Sequence, residues 1–121
     1  MKVAENLMVD IPTLCNGDYI TKARSILRDD VFRELYVLDE KNRLAGYLDI
    51  SDVLRVVDTK SNVTIEGFVR EAARVAPDTP LTGVGRAIMN ARTNSAAVVD
   101  EDGVFLGGVL FSELFPILIS R

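Results

Sequence analysis

The chain has 121 residues, 48% hydrophobic and 26% charged, with 14 Lys plus Arg against 18 Asp plus Glu and a net charge of -4. That length suits one compact domain, and the acid excess argues against a general nucleic-acid partner, which needs a basic face to displace counterions. No apolar run approaches the roughly 20 residues needed to cross a bilayer, the opening Met1-Lys2-Val3-Ala4-Glu5 lacks a signal-peptide core, and the single cysteine, Cys15, rules out an internal disulfide, a usage that fits a reducing cytosol.

In chain order, residues 3–8 read as a short helix or turn. Pro12-Thr13-Leu14-Cys15 is extended and Asn16-Gly17-Asp18 has turn chemistry. A helix capped by Thr21 or a neighbour runs to about Asp30, with Ala23, Ile26 and Leu27 on one face. Residues 35–39 and 44–48 form a hairpin around Glu40-Lys41-Asn42-Arg43. A helix follows from 50 to about 57, with Val53, Leu54 and Val57 as its apolar face, and 58–63 is a polar link. Thr64 is a good N-cap for a helix from 65 to about 73. Arg74-Val75-Ala76 is extended, and Pro77-Asp78-Thr79-Pro80 is a turn. The next helix carries Val84, Ala87, Ile88 and Ala91 on its apolar face. Gly83 and Gly85 weaken it by up to about 1 kcal/mol each relative to Ala, so they either permit a close approach or are tolerated. Residues 96–100 and 104–109 make a second hairpin around Glu101-Asp102-Gly103. A last helix starts at Phe111 and is ended or kinked by Pro116.

The second half repeats the first at a constant offset of 61 residues. Leu35-Tyr36-Val37-Leu38-Asp39-Glu40 lies over Ala96-Ala97-Val98-Val99-Asp100-Glu101, Gly46 over Gly107, Ser51 over Ser112 and Asp52 over Glu113. Upstream, Ile20-Thr21 lies over Leu81-Thr82 and Glu5 over Glu66, with no gap. Two copies of one supersecondary unit follow, residues 1–60 and 61–121, each with an apolar face that it cannot cover alone. Each copy is extended segment, helix, strand, strand, helix, which gives an α+β (α/β-like) fold of two β-α-β-β-α repeats.

Leu35-Tyr36-Val37-Leu38-Asp39 resembles the Leu-Pro-Val-Val-Asp strand of the cystathionine-β-synthase-type (CBS) domain. Gly46-Tyr47-Leu48-Asp49-Ile50-Ser51-Asp52 resembles that family's segment of Gly, two apolar residues, Ser or Thr, any two residues and Asp. Gly107-Gly108-Val109-Leu110-Phe111-Ser112-Glu113 is a weaker second copy. The resemblance implies a tandem pair, or Bateman module, with pseudo-twofold symmetry. Such a module dimerises and regulates an enzyme, channel or transporter, often by binding AMP, ADP, ATP or S-adenosylmethionine in clefts between the halves. It implies ligand-lining positions at Leu35, Tyr36, Gly46, Asp49 and Asp52, and at Ala96, Ala97, Gly107, Leu110 and Glu113.

Within that set Asp52 takes the place of the acid that accepts ribose hydroxyls, and Glu113 matches it with a side chain one carbon longer. The alternative for Asp52 is a first-turn acid favourable to its own helix dipole. The family's phosphate-contacting Ser or Thr is Asp49 in the first copy and Leu110 in the second, with Ser112 a candidate stand-in. An ionised Asp49 repels phosphate, and it also suits an N-cap, with Asp52 three residues on completing a capping-box-like pair. Arg33, Arg55, Arg86 and Arg92 either answer a phosphate or are solvated surface charges. Tyr36 and Tyr47 either stack on a base or pack in the sheet.

The expected function is therefore a cytoplasmic regulatory sensor for an adenosine-containing ligand, with no cofactor required and an effector domain or regulated protein as partner. One alternative is a ligand-free dimerisation module using residues 114–119 and 50–57. Another is a module responsive to divalent cations through Asp49, Asp52 and nearby acids, since hard cations take oxygen ligands. Catalysis finds no support, because the chain has no His, so Cys15 has no imidazole base and is expected as a small buried packing residue.

Overall fold

The computed structural model describes residues 2–29, 32–56 and 63–120. In chain order the elements are α1 (Ala4–Leu7), β1 (Thr13–Cys15), α2 (Ile20–Asp29), β2 (Glu34–Leu38), β3 (Leu44–Asp49) and α3 (Ile50–Arg55). A 3-10 turn (Glu66–Phe68) follows, then β4 (Arg74–Val75), α4 (Leu81–Ala91), β5 (Ser95–Val99), β6 (Phe105–Leu110) and α5 (Phe111–Ile119). The chain forms two compact units. One is residues 11–71, and the other joins residues 1–10 to residues 72–121. The expected boundary at 60/61, Val57 and all of the expected link over 58–63 except Val63 lie outside the described residues.

The unit of residues 11–71 is built around a three-stranded sheet of order β1-β2-β3. β1 and β2 are parallel, with α2 as the crossover that parallel pairing requires. β2 and β3 are an antiparallel hairpin. Gly17, at φ +95°, makes the turn after β1. Helix α2 begins at Ile20, two residues earlier than a cap at Thr21 would allow. It sets Ile20, Ala23 and Leu27 against Leu14, Leu35, Val37, Leu48, Val53 and Ile65 to form the core. β2 is buried on both faces, which is why residues 35–38, after the buried Glu34, read as an apolar run rather than an alternation.

The other unit repeats this plan with β4-β5-β6, α4 and α5. Its core gathers Val75, Leu81, Val84, Ile88, Ala96, Val98, Val109 and Leu114, with Ala4 from the leading segment. Gly85 faces α5, where a Cβ would lie 3.0 Å from Leu118 Cδ1, so its missing side chain serves helix–helix packing. The hairpin turns share one mechanism. Asp39 accepts from the Lys41 and Arg43 N–H groups at 2.8 and 2.9 Å, and Asp100 accepts from Asp102 and Val104, both at 2.9 Å. Asn42 and Gly103 occupy the left-handed position, at φ 62° and 84°. Even the break in strand register recurs, between Val37 and Leu38 and between Val98 and Val99.

The leading segments follow the same offset. Val3 bridges Pro80 while Thr64 bridges Tyr19, and Val9 bridges Gly108 while Arg70 bridges Tyr47. Each leading segment therefore belongs to the unit of the other repeat's strands. This explains a first correction: Thr64 does not cap a helix over 65–73. Its backbone is engaged at Tyr19, and only the single 3-10 turn forms before the chain extends along β3. A second concerns Pro116, expected to end or kink the last helix: it lies inside α5, so the first of the two alternatives is excluded. Pro116 is exposed and the helix continues to Ile119. A third is Cys15, which is exposed at the end of β1 rather than buried, because the core of its unit takes the preceding residue, Leu14.

Candidate functional site

The site is built where β3 gives way to α3. Asp49 is the N-cap of α3, its Oδ1 accepting from the Ser51 N–H and from the Ser51 hydroxyl, both at 2.9 Å. This satisfies one of the donors that a helix start leaves unpaired. Asp52, one turn in, does not complete a capping box. Both of its oxygens are taken by Arg70, with Nε donating to Oδ2 at 2.7 Å and Nη2 to Oδ1 at 2.8 Å. The planar guanidinium matches both carboxylate lone-pair directions at once, which is the stronger geometry for such a pair.

Arg70 is held there by its backbone. Its N–H donates to the Tyr47 carbonyl at 2.8 Å, and the Tyr47 N–H donates to the Arg70 carbonyl at 2.9 Å. The segment can lie this close because residue 46 is glycine, where a Cβ would collide with the Arg70 carbonyl oxygen and with Val69 Cγ1. The arginine hydrogen bonds hold the Asp52 carboxyl below the ordinary aspartate range, against a smaller opposing effect of burial, and Arg70 is raised in return. Burial pushes the Tyr47 phenol up, and the charges of Glu34 and Asp49 push it further, with Arg70 opposing. Glu34 is 5% exposed and stands opposite Asp49 in the strand register, next to the Tyr36–Tyr47 pair. The junction thus concentrates Glu34, Tyr47, Asp49, Asp52 and Arg70 in one unit.

Of the expected site residues, Asp49 and Asp52 stand at the cap and in the first turn of α3, and Gly46 on β3 is where the Arg70 backbone approaches. Leu35 and Ala96 are committed to the two cores, with no exposed surface. Tyr36 is 1% and Ala97 0% exposed, so Tyr36 and Tyr47 are both packed in the sheet. In the second repeat, Gly107 repeats the role of Gly46, with a Cβ there falling 3.0 Å from the Val9 carbonyl oxygen and closer still to Met8. Leu110 is the N-cap of α5 and supplies no capping bond, and Glu113 is exposed. The counterparts of Tyr47 and Arg70 are Gly108 and Val9, which keep the backbone pairing with none of the side-chain chemistry. Arg33, Arg55, Arg86 and Arg92 are exposed, and Arg92 is the left-handed C-cap of α4 at φ 59°.

Arg70 is the residue that sequence reasoning misses, because it falls in the stretch expected to be helical. The one available signal is the repeat itself, which sets Arg70 over Val9 at the same offset and marks it as a charge that one copy alone carries. Chemically, the junction offers an ionised carboxylate for hydroxyl donors. Beside it a guanidinium, 48% exposed, keeps N–H groups beyond the two spent on Asp52. Asp49 and Asp52 are both engaged by protein donors, and among the described residues no three acidic, Cys or His side chains gather as cation ligands.

Residues 4–59 match the family model of the CBS domain. No curated protein sequence matches the chain. Among solved structures, a CBS domain pair/ACT domain protein from Thermotoga maritima is similar over 98% of this chain and 98% of that one, at 16% identity and a TM-score of 0.85. The CBS domains of a transcriptional regulator from Streptococcus pneumoniae cover 96% of this chain and 98% of theirs, at 16% identity and a TM-score of 0.84. The soluble part of a magnesium transporter is similar over 98% of this chain, which spans 48% of that one, at 18% identity and a TM-score of 0.83.

Proposed function

Because residues 4–59 are a CBS domain and the whole chain folds as a CBS domain pair, we propose that it is a regulatory module whose first repeat binds an adenosine-containing ligand (AMP, ADP, ATP or S-adenosylmethionine) at the Asp52–Arg70 junction. Occupancy is passed to an effector domain or partner protein. The observation that carries this reading is Asp52 itself. Its side chain is 12% exposed and it is kept ionised by Arg70 at the edge of a sheet. Such a carboxylate accepts a vicinal pair of ribose hydroxyls, sharing or exchanging its bonds to the guanidinium. The settings of the similar structures, a transcriptional regulator, a magnesium transporter and an ACT-domain protein, support a module that serves different effectors.

Thermal unfolding with each of the four ligands tests the reading. A ligand that binds only the folded state adds about 2.7 kcal/mol at a hundredfold excess over its Kd, which raises Tm by several degrees. At least one of the four is expected to raise Tm in the wild type and to lose that effect in Asp52→Ala. No shift with any of them at millimolar concentration would overturn the proposal.

A second reading, compatible with the first, is self-association through α4 and α5. A groove of about 520 Å³ there is lined by Gly85, Met89, Phe111, Phe115 and Leu118 among others, with Met89 70% and Phe115 47% exposed. Such a face loses free energy to water until covered. Sedimentation of the ligand-free chain is expected to show a dimer that Met89→Glu with Phe115→Glu converts to monomer, and a wild-type monomer at high concentration counts against this reading.

A further inference from the structure

We propose that Arg70 is a latch: its guanidinium holds the Asp52 carboxylate and must be displaced before a ligand's vicinal hydroxyls are accepted there. This rests on the reading of the junction as an adenosine site, and it chooses exchange of the arginine bonds over sharing. Both carboxylate oxygens are engaged, Oδ2 by Nε at 2.7 Å and Oδ1 by Nη2 at 2.8 Å. A vicinal pair of hydroxyls also presents two donors side by side to the same two oxygens, so it competes with the guanidinium for one edge of the carboxylate. The Asp52 side chain is 12% exposed, which leaves little of it for a second bidentate partner. The Arg70 side chain is 48% exposed and has water to move into.

The backbone lets that side chain move alone. The Arg70 N–H and carbonyl are both paired with Tyr47, and the close approach at Gly46 belongs to the Arg70 backbone, so releasing the guanidinium breaks neither bond. The displaced charge stays tethered beside the site, and occupancy becomes the position of one surface charge on a fixed stretch of chain. In the other unit the residue at the place of Arg70 is Val9, which cannot pair with Glu113, so the latch belongs to one corner. A partly exposed ion pair is weak enough for a ligand to open. While it is closed it lowers the apparent affinity, by the fraction of molecules in which the carboxylate is open.

Adenosine isolates the exchange, because it carries the vicinal hydroxyls and no charge. Calorimetric titration of the intact chain is expected to show Arg70→Ala binding adenosine about threefold to fivefold more tightly than wild type. Arg70→Gln, which keeps most of the stem without the charge, should come close to it, with circular dichroism confirming that both variants fold. Two arms use the wild type alone. Raising the salt should tighten its adenosine binding by screening the pair. In chain labelled with nitrogen-15, the Arg70 Nε–H signal should move toward that of a solvated arginine as adenosine is added. Three results would each overturn the latch and leave the ligand reading standing. They are adenosine affinity that is equal or lower in both variants, affinity that falls with salt in the wild type, and an Nε–H signal unmoved at saturation. Absence of adenosine binding to all three proteins would overturn the latch too. The ligand reading is then decided separately, by the melting shifts with its four ligands.

Discussion

Where β3 meets α3, the unit of residues 11–71 holds Tyr47, Asp49, Asp52 and Arg70; at the same places the other unit holds Gly108, Leu110, Glu113 and Val9. The backbone of the two corners is the same. The Tyr47–Arg70 pair has bonds of 2.9 and 2.8 Å, and the Gly108–Val9 pair 2.9 and 2.8 Å. Frame and chemistry are therefore set by different residues. A glycine at 46 or 107 lets the leading segment lie against the sheet, and that requirement is indifferent to what the neighbouring side chains do. The unit that joins residues 1–10 to 72–121 keeps the frame and drops the charged cluster.

Substituting the two glycines should show the largest difference. A methyl group at residue 46 meets backbone that cannot move without breaking its pairing with Tyr47, whereas at residue 107 the first atoms met belong to the flexible Met8 side chain. Gly46→Ala is expected to cost about 3 kcal/mol, near the top of the range for overpacking, and Gly107→Ala about 1 kcal/mol. Urea unfolding of the two variants reads this directly. Equal costs would mean that the corners are not held as the structure describes.

The carboxylates come next. Asp52→Ala should cost about 1 kcal/mol, discounted because Arg70 is half exposed, while Glu113→Ala should stay within about 0.5 kcal/mol. The Asp52 contribution has a pH signature. Its folded pKa lies below the ordinary unfolded value of about 3.9. The stabilisation is thus fully present above that value and lost as pH falls through the lowered folded pKa. Asp39 is shifted in the same direction, so the informative quantity is the difference between wild type and Asp52→Asn. That gap should close on acidification and open again toward neutrality.

The smallest effect is at the caps. Asp49→Ala should cost about 1 kcal/mol or less by removing the cap of α3. Leu110→Asp should gain less than that, since the new cap on α5 comes with the loss of a half-buried apolar side chain. A gain of helix content by circular dichroism in the second variant sharpens the comparison.

Much of the frame is legible in the sequence because the repeat runs without a gap and because Asp39 and Asp100, with Asn42 and Gly103 three residues on, dictate the hairpin turns locally. The apolar faces of α2 and α4 follow from their spacing. What escapes is non-local. Thr64 looks like a helix cap when read with its neighbours, yet its backbone is claimed by Tyr19 across the unit. Arg70 acquires meaning only from Asp52, 18 residues earlier. Cys15 is apolar enough to suit a core, but strand alternation gives the inside place to Leu14. The exchange of leading segments between repeats is likewise absent from any local window. It follows from edge pairing along β3 and β6, which depends on strands far apart in the chain.

Isothermal titration calorimetry with the ligand that raises Tm most tests the central claim, that one corner of two carries the chemistry. The prediction is one ligand bound per chain, with binding abolished by Asp52→Ala and untouched by Glu113→Ala. Two ligands per chain, or binding that survives Asp52→Ala and fails with Glu113→Ala, would contradict it.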